Sequence, residues 1–190
     1  MSQFSLFGAA AATPALDDLD GVLLGGGHWV RTGPSARLSV VVAERWRADA
    51  LAEEFALRRV GGDVVPADSS AGDGWSARTA FSTALMPHAT RWSRGANEGP
   101  PPGFDLTAGG LRLWTIASGR TDEVGYLLGT ANADSALHLA AGAQLSRQGL
   151  AGVSLSQRPG PGWRITSAKR LRRFAELVGA APAGADWPRG

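Results

Sequence analysis

The feature that most constrains this chain is an internal repeat. Residues 13–95 read as helix, two strands, helix, two strands, helix, and residues 107–181 largely repeat that order. In the first half, Leu16, Leu19 and Leu23 fall at helical spacing after Thr13-Pro14, an N-cap and first helical position. Asp17, Asp18 and Asp20 sit in the early turns, where acids suit the helix dipole, and Gly25-Gly26-Gly27 ends the run. HWVRTG and ARLSVVVAE then form a hairpin around Gly33-Pro34. RADALAEEFALRR is an amphipathic helix stopped by Gly61-Gly62. DVVPA and GWSARTAFS make a second hairpin around residues 67–74, and STALMPHATRW a short helix that Pro87 bends or splits.

The second half follows a Pro- and Gly-rich linker, residues 96–106. TAGGLRLWTIASGR is expected as a helix, with its β-branched residues leaving a strand open, and DEVGYLLGT as a strand. DSALHLAAGAQLSRQG is a helix capped by Asp134 or Ser135 and stopped by Gly149. AGVSLSQ and GWRITSA form a hairpin, and AKRLRRFAELVG is the last helix. Each final hairpin strand opens with Gly-Trp, at Gly74-Trp75 and Gly162-Trp163. A threonine follows at Thr79 or Thr166, then a helix with Trp92 or Phe174 on its apolar side. The expected fold class is α+β: two pseudo-symmetric αββαββα halves with mixed or antiparallel sheets, flanked by tails at 1–12 and 182–190. Two unrelated α+β segments are the alternative.

The absence of cysteine excludes disulfides, thiol catalysis and cysteine-based zinc sites. No apolar run reaches the length of a membrane span, and residues 1–12 do not read as a signal peptide, so a cytoplasmic, nucleoid-associated protein is expected. Charge is uneven. Residues 1–90 hold ten acids against seven arginines, whereas residues 91–190 hold seven acids against twelve basic residues. Between Asp134 and Glu176 there is no acid, only Arg147, Arg158, Arg164, Lys169, Arg170, Arg172 and Arg173. That asymmetry points to a polyanion, most simply DNA. The bland alternative is a GC-rich coding bias, since Lys169 is the only lysine.

With LDDLDGVLLGGGHWVRTGPSARLSVVVAE in the first half and LRLWTIASGRTDEVGYLLGT in the second, the element order resembles the LAGLIDADG homing-endonuclease fold. More narrowly, it resembles the degenerate form in the N-terminal part of WhiA-type transcription regulators. The resemblance implies that an acid ending each half's first helix would bind magnesium ions. Here those ends read GVLLGGGHW and WTIASGR, without an acid, and Asp122 and Glu123 come a few residues later. The resemblance therefore implies a binding protein that kept the scaffold, with no catalytic residue, metal or cofactor. The alternatives are a magnesium-dependent nuclease using displaced acids such as Asp20, Asp122 or Glu123, and a regulator of the WhiA type. In this fold the sheets face DNA, which makes Arg31, Arg37, Arg78, Arg158 and Arg164, on strands or hairpin tips, candidates for DNA contact. Lys169 and Arg170 join them from the acid-free interval.

Other chemistry finds little support. His28, His88 and His138 lack metal-ligand spacing, no serine sits in a nucleophile elbow, and Gly25-Gly26-Gly27 lacks the Lys-Ser/Thr of a phosphate loop. Most tryptophans read as core, while Trp187 lies beyond the repeat as a docking element or a surface-packing residue.

Residues 3–7, QFSLF, resemble the motif by which bacterial replication and repair proteins bind the DNA polymerase sliding clamp. Gln3, Ser5, Leu6 and Phe7 match it, and Phe4 fills the variable place. Leu6 and Phe7 would enter an apolar pocket and Gln3 would bond at its rim. An apolar segment packing on the domain is the alternative. Together these features give the expectation of a non-catalytic DNA-binding accessory protein recruited to the sliding clamp in replication or repair.

Overall fold

The computed structural model describes residues 8–9, 12–68, 73–95, 97–131, 135–157 and 160–189. The order read from the repeat is present. A 3-10 turn, Leu16–Leu19, runs into α1 (Asp20–Leu24). Then come β1 (His28–Thr32), β2 (Ser35–Val42), α2 (Arg45–Leu57), β3 (Asp63–Pro66), β4 (Trp75–Arg78) and α3 (Met86–Trp92). The second half runs α4 (Ala108–Ser118), β7 (Gly119–Asp122), β8 (Gly125–Gly129), α5 (Ala136–Arg147), β9 (Val153–Leu155), β10 (Gly162–Ile165) and α6 (Ala168–Val178). Between the halves, part of the expected linker folds: β5 (Ser93–Arg94) pairs with β6 (Asn97–Glu98) as a short hairpin.

Each half builds a four-stranded antiparallel sheet, in the orders β1-β2-β4-β3 and β7-β8-β10-β9. The matching strand orders support the two-halved fold. The halves meet along α1 and α4, where small residues permit close approach. A β-carbon on Gly25 would lie 2.8 Å from Cβ of Ala117, so backbone and methyl leave no room between the helices. The core is continuous across this seam, with Leu19, Val22, Leu24, Leu111, Leu113 and Trp114 all buried.

Several local expectations change. Ala15, not Thr13, precedes the first turn, and its N–H donates to Asp18 Oδ2 at 3.0 Å. Gly119-Arg120 leaves the helix and begins β7, while Glu123-Val124 turns the chain into β8, so a hairpin replaces the single expected strand. The Gly-Trp signatures are not equivalent. Trp163 faces Leu128, which in turn faces Gly119 of β7. Trp75 faces Val42, beyond the end of the β1–β2 ladder. Asp134, one of the two expected caps, lies outside the described residues; Ser135 caps α5 by accepting from the His138 N–H at 3.1 Å. Trp187 is buried, its indole donating to the Gly179 carbonyl at 2.8 Å with Arg112 stacked on its ring. Packing, not docking, is therefore its role. No helix among the described residues is long and apolar enough to cross a membrane.

Candidate nucleic-acid interface

Pairing register decides which strand side chains turn toward the helices and which turn away. On the first sheet Trp29, Leu38, Val40, Val42 and Ala77 share the core face. The alternate positions, including Val30, Arg37, Ser39, Ser76 and Arg78, form the outer face. Arg37 and Arg78 thus share the outer face. The Arg37 guanidinium lies 4.7 Å from the Phe81 ring centroid, and Arg78 Nε donates to Ser76 Oγ at 3.2 Å. Phe81, an exposed aromatic beside Arg37, joins the candidate surface, and no sequence motif singles it out. Its strand pattern alone gave no sign of which face it occupies.

Arg31 does not share that outer face. It pairs with Ala36, a core-face residue, and although exposed it reaches back so that Nη2 donates to the Ala89 carbonyl and to Ser93 Oγ. It ties β1 to α3 on the side away from the outer face.

On the second sheet Tyr126, Leu128 and Ile165 face the core, leaving Arg120, Asp122, Leu127, Arg164 and Val153 on the outer side. Arg164 is where the sequence placed it, but it is not a bare cation, because its Nε donates to Asp122 Oδ2 at 2.6 Å. Arg120 joins the set from β7, where the sequence predicts the end of a helix. Arg158 and the Gln3–Phe7 motif lie outside the described residues. Lys169 and Arg170 are exposed on α6, a helix that packs on the core side of the second sheet through Phe174 against Tyr126. They therefore do not share a face with Arg164.

The ends of α1 and α4 converge as the resemblance implies, but they do not fit a divalent cation. The residues there are Gly25, Gly26, Ala117 and Ser118, and Ser118 Oγ donates to the Gly129 carbonyl at 2.9 Å. A hard cation needs carboxylate oxygens, and no cluster of three or more metal-ligating side chains occurs among the described residues. A guanidinium closes the α4 end. Arg47, buried on α2, donates to the carbonyls of Ile116 at 2.8 Å and Gly119 at 2.7 Å, and to Glu44 at 2.6 Å. This satisfies terminal carbonyls that have no partner within the helix.

The displaced acids are also engaged. Asp20 is buried at the start of α1, accepting from the Trp92 indole at 2.7 Å and from Arg91 at 2.6 Å. Burial outweighs the Arg91 charge and pushes its carboxyl up to about 6. Asp122 holds Arg164, and Glu123 lies exposed in the β7–β8 turn. His88 is pushed below its ordinary value by burial. His138 is buried between Thr130 Oγ1 and Ser154 Oγ, each at 2.8 Å, and stacks on Trp163, which makes it a packing histidine.

No protein-family model and no curated protein sequence matches the chain. Among solved structures it is similar to the homing endonuclease I-WcaI bound to its DNA recognition sequence. The TM-score is 0.63 at 13% identity, covering 94% of this chain and 83% of that one. It is also similar to a variant of I-DmoI in complex with its nicked target DNA in the presence of manganese. There the TM-score is 0.51 at 13% identity, with 87% and 98% of the two chains covered. The fold is that of the LAGLIDADG homing endonucleases. The comparison corrects the expectation of a non-catalytic, clamp-recruited accessory protein. Both of these neighbours are endonucleases captured on DNA, and neither comparison supports clamp recruitment or a non-catalytic role.

Proposed function

We propose that this LAGLIDADG-fold protein binds duplex DNA across the outer faces of its two sheets. The observation that carries the reading is the placement of Arg37 and Arg78 on one outer face and Arg120 and Arg164 on the other, on two sheets of the same strand order. Arginines on such surfaces suit phosphate oxygens and the acceptor edge of guanine. The structural neighbours are themselves complexes with DNA, which supports the same partner here. Fluorescence anisotropy with labelled duplex over a salt series tests it. Affinity should fall linearly on a log–log plot, and Arg37→Ala/Arg78→Ala should flatten the slope by roughly 2. Wild-type protein that shows no salt-dependent binding would overturn the reading.

Cleavage is the second reading, and the endonuclease neighbours are what favour it. It needs acids away from the helix ends, and of the displaced acids Asp20, Asp122 and Glu123, Asp122 on β7 is the one on a strand's outer face. Incubation of supercoiled and linear DNA with magnesium or manganese tests it. Nicked product that disappears with Asp122→Ala supports cleavage through this acid, and intact DNA under all conditions removes it.

A further inference from the structure

Helix α6 carries a second cationic surface, on the opposite side of its sheet from Arg164. Lys169, Arg170, Arg172 and Arg173 are all exposed, whereas Phe174, Leu177 and Val178 of the same helix are buried. The Phe174 ring lies 5.3 Å from that of Tyr126 on the core face, and helical spacing puts Lys169 and Arg172 on the opposite side of α6. Arg170, four residues before Phe174, and Arg173 flank the buried stripe instead. Two of them are steadied at the rim by loop carbonyls. Arg170 Nη1 donates to Ala151 O at 2.8 Å, and Arg173 Nε donates to Gln148 O. Arg147, the last residue of α5, stands next to Gln148 and is also exposed.

Like charges three and four residues apart on a helix repel one another, and this face carries several such pairs. None of these five side chains joins an ion pair among the described residues, and Glu176 is the one carboxylate lining the groove of about 530 Å³ that the four α6 cations share. An arrangement that lowers helix stability and leaves its charge uncompensated suits a partner that brings negative charge in a row. Arginine forks left with outward N–H groups match phosphodiester oxygens. An acidic membrane is the poorer match. A surface-seated helix inserts apolar side chains beside its cations, and the apolar residues of α6 are committed to the core.

We propose that this α6 face binds the phosphate backbone of a second nucleic-acid segment, so that one molecule holds nucleic acid on both sides of its second sheet. This goes beyond duplex binding on the outer faces and does not depend on it.

The test titrates four proteins with labelled duplex DNA, single-stranded RNA and vesicles of acidic phospholipid. They are the wild type, Lys169→Glu/Arg172→Glu, Arg37→Ala/Arg78→Ala, and the combination. Lys169 and Arg172 are exposed, and circular dichroism checks that their variant stays folded. Binding that survives in Arg37→Ala/Arg78→Ala should fall at least tenfold when the α6 charges are reversed, and the nucleic acid whose binding falls is the occupant. Unchanged binding of both nucleic acids on charge reversal in either background overturns the proposal, as does charge-dependent binding of vesicles alone. Failure of the outer-face reading is seen separately, as an Arg37→Ala/Arg78→Ala variant that binds duplex like the wild type.

Discussion

A β-carbon on Gly21 would stand 1.8 Å from the carbonyl oxygen of Gly110. The two glycines bring α1 against α4, so the seam between the halves depends on a missing side chain. Gly21→Ala forces these helices apart along a core that includes Leu19, Val22, Leu111 and Trp114. The expected loss is about 3 kcal/mol or more, with a clear drop in melting temperature. Thermal unfolding by circular dichroism measures it, and a variant melting with the wild type would contradict this packing.

The seam also shows what could be read without coordinates. Gly25-Gly26-Gly27, leucine spacing and the strand-like run ARLSVVVAE carry most of the element order, because each reflects a local rule of period or turn, whereas β7 is hidden in what reads as the end of a helix. Faces were harder to read. A strand side chain's direction flips with a one-residue shift in pairing, and Arg31 lands on the core side because its partner is Ala36. The repeated Gly-Trp looked like corresponding positions, yet Trp163 packs over Gly142 of α5 while Trp75 lies under the guanidinium of Arg45. Lys169 and Arg170 were assigned by composition, which carries no information about the side of the sheet their helix occupies. Arg47 could not be found at all, since its acceptors lie about 70 residues away in sequence.

Asp20 makes stability depend on pH. Its carboxyl is raised from 3.8 to about 6, chiefly by burial. Between those values the folded protein keeps a proton that the unfolded chain releases. The contribution is therefore complete below about pH 4 and is lost as pH rises through 6, by about 3 kcal/mol in all. Asp20→Asn can still accept from the Trp92 indole and carries no charge, so this slope should vanish. Denaturant titrations between pH 4.5 and 7.5 compare the two proteins, and parallel profiles would exclude Asp20 as the source.

Arg47→Met should leave the carbonyls of Ile116 and Gly119 buried without the donors they now have. Unpaired buried acceptors and the lost ion pair with Glu44 put the cost at roughly 2–4 kcal/mol. Arg47→Lys, with a single ammonium in place of a planar fork, should recover only part of it. Equal stability of all three proteins in urea would show that the α4 end does not need this cap.

Asp122 and Arg164 hold each other on the outer face of the second sheet, Nε to Oδ2 at 2.6 Å. The carboxylate neutralises a guanidinium that duplex binding would use, and it repels phosphate itself. Asp122→Asn keeps the size of the side chain and removes the charge. Duplex affinity at low salt should rise several-fold, and the salt dependence should steepen by about 1 as one more phosphate is neutralised. The same variant separates the two functional readings through a second measurement. If Asp122 serves only to restrain Arg164, tighter binding comes with no change in the integrity of the DNA in magnesium or manganese. If it is a displaced catalytic acid, tighter binding comes with the loss of nicking. Unaltered affinity and an unaltered salt slope would mean that this face of β10 does not meet the phosphate backbone.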